Sequence, residues 1–201
     1  MNNTKEYITE IENEILNATL GLIKIMFESD REIIPHLIFA NESTILGGIK
    51  ENNKFGIAIA HIGQLFSVPT PIRNLYLHKH LSEIKPFVIS LIAEAWYVDV
   101  SAKEVDDIKN PLKGVQPKDH PEREEVVLIH IISPFNQRVI QYPIISDFLN
   151  INNGVPKKIL GEKIERVYEQ KDTIKYDSFF TDIYNKTAPS ISEIEKVIEK
   201  L

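Results

Sequence analysis

The stretch EEVVLIHIISPFNQRVIQYPII, residues 124–145, holds two runs rich in Val and Ile on either side of the short link Pro134-Phe135-Asn136-Gln137. Runs of β-branched residues favour extended structure, and a four-residue link with Pro and Asn has the length and residue types of a hairpin loop. Residues 124–133 and 138–145 are therefore predicted to form two antiparallel strands that lie side by side.

A third strand is predicted over residues 87–99, where every odd position from Phe87 to Ala95 is apolar. An alternation with a period of two places those side chains on one face of a sheet. Because strands that follow one another in sequence are usually neighbours, the three are expected to form one antiparallel sheet. Two shorter strand candidates precede them, at residues 37–40 and 55–60.

Helices are predicted at both ends of the chain and before the third strand. The first has apolar residues at alternating steps of three and four, the pattern of a helix face that can cover the sheet or pair with a partner helix. That stripe consists of Ile8, Ile11, Ile15, Ala18, Leu22, Ile25 and Met26. A second helix begins at Thr70-Pro71, and a short third helix follows Ser190. The predicted apolar face of the second helix consists of Ile72, Leu75, Tyr76 and Ile84.

Together these elements predict an α+β fold, in which a small, mainly antiparallel sheet packs against the N-terminal amphipathic helix and flanking helices. The length of 201 residues suits a single domain over residues 1–201, and residues 147–201 are a candidate C-terminal extension of it. The pattern over residues 163–175 fits a strand pair or a helix, and both interpretations stay open.

Composition excludes several classes of site and partner. The chain has no cysteine, which excludes a disulfide framework, a thiolate nucleophile and every cysteine-based metal site. Its formal net charge of −6 disfavours nucleic acid as a partner, because proteins that neutralise phosphates usually carry a basic excess. The sequence shows no apolar leader and no apolar run of about 18 residues, so a cytoplasmic protein without a membrane partner is expected.

One group of polar residues could carry chemistry on the sheet. In the predicted hairpin His130 lies opposite Gln141, and if the even positions of residues 87–99 share their face, Glu94 and Trp96 join them. A carboxylate near an imidazole can tune its pKa for acid–base chemistry, which makes Glu94, His130 and Gln141 the candidate catalytic residues. The alternative is that a half-solvated sheet face simply needs polar residues and that none of them is functional.

A second candidate site lies in the charged connection over residues 100–123. Asp106, Asp107, Asp119 and His120 could hold a divalent cation there, since carboxylate and imidazole ligands suit such ions. The spacing matches neither an EF-hand nor a His-Glu-x-x-His motif, and a solvated charged loop is the alternative. The sequence has no glycine-rich phosphate loop, dinucleotide fingerprint or nucleophile elbow, so no cofactor is predicted.

Three features of the sequence form a pattern: the strand end Ala93-Glu94-Ala95-Trp96, the long connection after it, and Pro121-Glu122-Arg123-Glu124-Glu125 before an apolar strand. This pattern resembles one in uncharacterised bacterial and phage proteins of modest size. The resemblance covers about a quarter of the chain and implies no activity. What it implies is an accessory protein of a phage or mobile element.

Two classes of function follow from these observations. The first is a non-enzymatic accessory or interaction protein that binds a protein partner or a second copy of itself, favoured by the missing catalytic motifs and by the amphipathic helices at both ends. The alternative is a small-molecule-binding domain or an enzyme that uses the polar sheet face around Glu94 and His130. The sequence leaves open which class applies, and hence whether the chain is an enzyme.

Overall fold

The computed structural model describes residues 2–29, 31–50, 56–97, 119, 123–152, 155–169 and 179–200. Within these residues the chain forms five α-helices, one short 3-10 helix and seven strands. The helices are α1 (Asn2–Glu28), α2 (Glu42–Lys50), α3 (Thr70–Ile84), α4 (Phe179–Thr187) and α5 (Ile191–Ile198), and the 3-10 helix covers Gly63–Ser67. The strands are β1 (His36–Ala40), β2 (Ala58–His61), β3 (Val88–Tyr97), β4 (Glu124–Ile132), β5 (Asn136–Asn152), β6 (Val155–Leu160) and β7 (Ile164–Glu169).

The strands form one antiparallel sheet in the order β2-β1-β3-β4-β5-β6, with β7 also paired to β5. The predicted α+β class and the predicted neighbours β3, β4 and β5 are confirmed. Of the segment whose structure the sequence leaves open, residues Ile164–Glu169 form strand β7. Residues 170–175 of that segment lie outside the described residues.

Each face of the sheet meets its own layer of helices. The face that carries Val127, Ile129 and Ile131 packs against α1 and α5 and holds the larger part of the core. The opposite face, which carries Leu91 and Ile132, packs against α3 and α4. Because both faces are covered, the central strands need apolar side chains on both sides. This explains why β4 has a nearly continuous apolar run rather than a clean alternation.

Helix α1 lies over the sheet, as its apolar stripe predicts. Ile11 and Ile15 are fully buried in the main core. Nearer the C-terminal end of the helix, Ile23 and Phe27 are buried, whereas Ile25, which the predicted stripe includes, is 61% exposed. From Ile15 onward the buried positions follow one another in steps of four. The prediction at Ile25 is therefore wrong, because the repeat of three and four does not persist along the helix.

The length of α1, 27 residues, would be enough to cross a bilayer, but charged residues such as Glu12 and Lys24 interrupt its apolar content. In the described ranges, no helix combines the length and the hydropathy that a membrane span requires.

Ser133 closes the β4–β5 hairpin earlier than the sequence predicts. Its backbone N–H donates to the Asn136 carbonyl at 2.9 Å, and its Oγ accepts from the N–H groups of Phe135 and Asn136 at 3.2 and 3.0 Å. Strand β5 therefore begins at Asn136, and the pairing of the two strands is shifted by two residues from the predicted one. A shift of two residues leaves every side chain on its predicted face.

Strand β5 has 17 residues and extends beyond β4, whose pairing with it ends at Val126 and Pro143. Beyond that point β5 pairs with β6, from Ile144 as far as Asn152. We name this two-stranded extension, residues 144–152 and 155–160, the arm. It carries β-structure past the end of the central strands.

The C-terminal helix predicted after Ser190 is confirmed as α5. Ser190 Oγ accepts from the Glu193 N–H at 3.4 Å, and the Glu193 carboxylate accepts from the Ser190 N–H at 2.8 Å, which forms a capping box. Ile194 and Val197 of this helix lie in the same core cluster as the buried residues of α1. The division of the chain at residue 147 stays a prediction.

Replacing Ile11 with Ala is expected to lower the free energy of unfolding by about 2–5 kcal/mol, because this fully buried side chain joins α1 to the sheet. The same change at Ile25, exposed on the same helix, is expected to stay within about 0.5 kcal/mol. Urea unfolding followed by circular dichroism measures both variants. Equal losses would contradict the placement of α1.

Candidate functional site

Glu94 and His130 point to opposite faces of the sheet. The β3–β4 register places Leu91 opposite His130 and Val127 opposite Glu94. Residues directly opposite each other project to the same face, so the odd positions of β3 accompany His130. The predicted cluster of Glu94 with His130 is therefore wrong. It required the even positions of β3 to share a face with His130, and pairing that differs by one residue moves every side chain to the other face of the sheet.

His130 and Gln141 share one face, as predicted, but that face is covered where His130 lies. Val139 is opposite His130 and Leu128 is opposite Gln141, so the two polar side chains are diagonal neighbours. Phe180 of α4 meets the His130 ring edge-on, with 5.7 Å between ring centroids, and the histidine is only 3% exposed. A small-molecule substrate has no direct approach to a side chain buried this deeply.

The surroundings of His130 also disfavour acid–base chemistry near neutral pH. Burial lowers the pKa of this imidazole to about 4, because removing a charged ring from water costs free energy. The folded chain therefore holds the neutral ring at pH 7. A general acid or base works best when its pKa lies near the operating pH. The catalytic role predicted for His130 is poorly matched to this environment.

Glu94 takes part in contacts that join strands on the opposite face. Its Oε1 accepts from the backbone N–H of Ile33 at 3.2 Å and lies 3.7 Å from Lys158 Nζ. The same ammonium group lies 3.5 Å from Glu125 Oε1. Trp96 projects to the same face as Glu94, as the alternation along β3 requires. Glu94 thus links the segment before β1 and strand β6 to the central sheet.

Three of the four predicted cation ligands, Asp106, Asp107 and His120, lie outside the part of the chain that the structure describes. Asp119 is described and exposed. Among the described residues, His, Asp and Glu side chains form no group of three or more that could hold a metal ion. The cation site over residues 100–123 therefore stays a prediction.

Helix α3 buries a different face from the predicted one. Leu77 and Leu81, one turn apart, are buried in the cluster that joins α3 to α4. Of the four residues predicted to face the core, Ile84 is partly buried against this cluster. The other three are exposed instead, Leu75 to 73%: Ile72, Leu75 and Tyr76. Because the helix has apolar residues on two sides, periodicity alone does not identify the side that meets the sheet.

A three-residue bulge interrupts the arm. Regular pairing with β6 stops at Asp147 and resumes at Ile151, so residues 148–150 lack a partner on that strand. The Asp147 carboxylate holds the bulge, since Oδ1 accepts from the Leu149 N–H at 3.0 Å and Oδ2 accepts from Asn150 Nδ2 at 2.6 Å. Both hydrogen bonds lower the pKa of Asp147, because they favour the ionised carboxylate. The bond from Asn150 has the larger effect, and the bond from the Leu149 N–H has the next largest.

The bulge projects large apolar side chains into solvent. Phe148 is 72% exposed and Leu149 is 95% exposed, and Ile151 beyond them is also exposed. Nearer the base of the arm, the cross-strand pair Ile145 and Ile159 is exposed as well. Single apolar residues are common on protein surfaces, whereas extended apolar patches mark interaction sites. Leu149 is the most exposed of the large apolar side chains among the described residues, which makes the arm a candidate functional surface.

The sequence contains a signal for this bulge that a search for catalytic motifs overlooks. Asp147 precedes Leu149 by two positions, the spacing at which an aspartate side chain commonly bonds a backbone N–H. Asn150 and Asn152 follow and also favour turns. Two adjacent large apolar residues between such turn formers cannot both point to one face of a regular strand. The pattern indicates apolar side chains on a bend.

The assignment of the arm as the candidate surface rests on its own geometry. Comparisons with family models, with curated proteins and with solved structures find no match to the chain. The chemistry of the surface is accordingly argued from the described residues.

Protonation of His130 is expected to destabilise the fold in acid. The imidazole has a pKa near 6.5 before burial and about 4 in the folded chain, so between these values the unfolded state binds more protons and the free energy of unfolding falls as the pH falls. Replacing His130 with Leu is expected to flatten this dependence between about pH 6.5 and pH 4. Urea unfolding at a series of pH values measures the slope.

The control for this experiment is His78, an exposed histidine of α3, replaced with Gln. It is expected to leave the pH dependence unchanged, because the substitution changes a side chain on the surface and removes no buried group. An unaltered slope in the His130 variant would show that this histidine is not the group that titrates.

Proposed function

We propose that this chain is a non-enzymatic accessory protein that binds another protein through the apolar bulge of its arm. The observation that carries the proposal is the pair Phe148 and Leu149, held outward in solvent by the hydrogen bonds of Asp147. These bonds give the bulge a defined shape before any partner arrives. The resemblance to phage proteins supports an accessory role in a phage or mobile element.

Burial of the two side chains in a cleft of the partner supplies the driving force. Moving one Phe or Leu side chain from water into an apolar environment is worth about 1.5–3 kcal/mol. A few such anchors commonly dominate the binding energy of an interface. Because Asp147 already orders the bulge in the free chain, docking loses less conformational entropy than it would for a loose loop.

The arm favours recognition through side chains over addition of a strand. In β6, Pro156 lacks an N–H and Lys157 and Lys158 bring charge, and both features discourage pairing at a sheet edge. The charges nearest the bulge have both signs, because Asp147 lies opposite Lys157. A protein with an apolar cleft and a mixed polar rim fits this surface better than the phosphates of a nucleic acid.

A photoreactive benzoylphenylalanine in place of Phe148 is expected to cross-link the partner in living host cells. Adding Leu149→Asp to the same chain is expected to reduce the adduct by roughly tenfold or more, because a carboxylate entering an apolar cleft loses its water without gaining a partner. Leu149 is 95% exposed, so the substitution leaves the core intact. Mass spectrometry of the purified adduct measures the yield and the mass of the captured protein.

The matched control is Leu75→Asp, which changes an exposed leucine on α3 and is expected to leave the adduct at full yield. An adduct of twice the chain mass identifies a second copy as the partner, and any other defined mass identifies a different protein. The proposal fails if cross-linking from position 148 does not exceed that from the same photoreactive residue at position 75. It also fails if the adduct is indifferent to Leu149→Asp.

A further inference from the structure

We infer that the cross-strand pair His36 and His61 binds one Zn²⁺ ion at the edge of the sheet. His36 is the first residue of β1 and His61 is the last residue of β2, and the two lie directly opposite each other in the antiparallel pairing. Residues opposite each other project to the same face, with Cβ atoms roughly 4.5–5.5 Å apart. The pairing therefore brings together two imidazoles that are distant in the sequence.

The separation of the two rings suits two ligands of one tetrahedral ion. Their centroids are 5.1 Å apart, and the ring planes are tilted by 57°. Zn²⁺ binds a histidine nitrogen at about 2.0–2.1 Å and prefers a tetrahedral arrangement, which places the centroids of two bound imidazoles roughly 5 Å apart. Neighbouring ligands of a square-planar ion, at right angles, would bring the centroids to about 4.5 Å. Zn²⁺ can therefore be bound with little change in the distance between the rings.

A hydrogen bond made by His36 leaves its other ring nitrogen available as a ligand. Nδ1 lies 2.6 Å from the Ile34 carbonyl oxygen, and because a carbonyl only accepts, Nδ1 carries the proton. In the neutral ring Nε2 then has the lone pair that a metal requires. Metal-binding histidines almost always donate their other N–H in this way, which fixes the tautomer and the ring orientation. Within the described part of the chain, Nε2 of His36 has no hydrogen-bond partner.

His61 presents its ring at the open edge of the sheet. β2 is the first strand in the pairing order, and His61 is exposed. In the described ranges, no hydrogen bond or ion pair occupies either ring nitrogen of His61. Gly63 leaves the space that this ring occupies, because a Cβ there would lie only 2.9 Å from Nε2. An ion on the pair is therefore accessible from solvent, and water fills the tetrahedral positions that the two histidines leave open.

The ligand set favours a transition-metal ion over the common hard cations. Imidazole suits Zn²⁺, whereas Mg²⁺ and Ca²⁺ prefer carboxylate, carbonyl and water oxygens. Among the described residues no third His, Asp or Glu completes a larger group, so the site is open rather than closed as in structural zinc sites. Because the two ligands come from different strands, the ion joins β2 to β1 and stabilises the folded chain.

Isothermal titration of the full chain with zinc chloride tests this inference. Saturable binding of one Zn²⁺ per chain is expected at neutral pH, and magnesium chloride is expected to give none. His61→Gln removes one of the two ligands and is expected to weaken Zn²⁺ binding by roughly tenfold or more, while the exposure of His61 keeps the fold intact. The matched control is His78→Gln, at an exposed histidine of α3, which is expected to leave the affinity unchanged.

Nuclear magnetic resonance of the histidine rings locates the bound ion independently of affinity. In a chain with ¹⁵N-labelled histidine, Zn²⁺ is expected to shift the Nε2 signal of His36 and a ring nitrogen signal of His61. The proton on Nδ1 of His36 is expected to remain, because Nδ1 donates to Ile34. The signals of the remaining histidines are expected to stay in place.

The predicted cation site over residues 100–123 is the competing location for a bound zinc ion. Asp119→Asn together with His120→Gln removes two of its four predicted ligands and is expected to leave Zn²⁺ affinity unchanged. Leu149→Asp is likewise expected to leave Zn²⁺ binding unchanged, so this inference and docking at the bulge can fail separately.

Three results would overturn the inference. The first is the absence of saturable Zn²⁺ binding to the full chain, and the second is an unchanged affinity in the His61→Gln variant. The third is loss of Zn²⁺ binding in the chain that lacks Asp119 and His120, which would assign the ion to the other location.

Discussion

Ser133 accepts hydrogen bonds from two backbone N–H groups of the central turn and donates its own N–H to Asn136. Once this turn is closed, β4 and β5 pair in one register, and because side chains alternate with a period of two, each residue of both strands has a defined face. β3 then joins β4 with apolar side chains on both faces of the central strands. Each face must be covered, which accounts for α1 on one side and for α3 and α4 on the other.

The same register decides where the sheet stops being covered on both faces. β4 ends its pairing at Val126, while β5 continues with β6 as the arm. Without a third strand and a second helix layer, the arm cannot bury apolar residues on both faces, and Phe148, Leu149 and Ile151 remain in solvent. The proposed binding surface on the arm therefore results from the unequal lengths of β4 and β5.

Local patterns were sufficient to predict much of the fold. The stripe on α1, the central hairpin and the cap at Ser190 each depend on residues close in sequence, and the structure contains all three. The relation of Glu94 to His130 could not be predicted in the same way. It depends on the parity with which β3 meets β4, and these strands are joined by the long connection over residues 100–123. Neighbouring apolar residues in both strands fit either parity, so the sequence pattern did not discriminate between them.

The amino-acid sequence was enough to predict the class of fold, the positions of the central strands and terminal helices, and the exclusion of every site that needs cysteine. These properties follow from composition and from periodicity within single elements. Three other features depend on how the elements pack together: His130 is buried against Phe180, the face of α3 carrying Leu75 is exposed, and Leu149 is exposed to solvent on the arm. Periodicity does not predict these features, because burial depends on which elements cover one another. Which elements cover one another is decided by the packing of residues far apart in the chain, and the periodicity of a single element does not predict it.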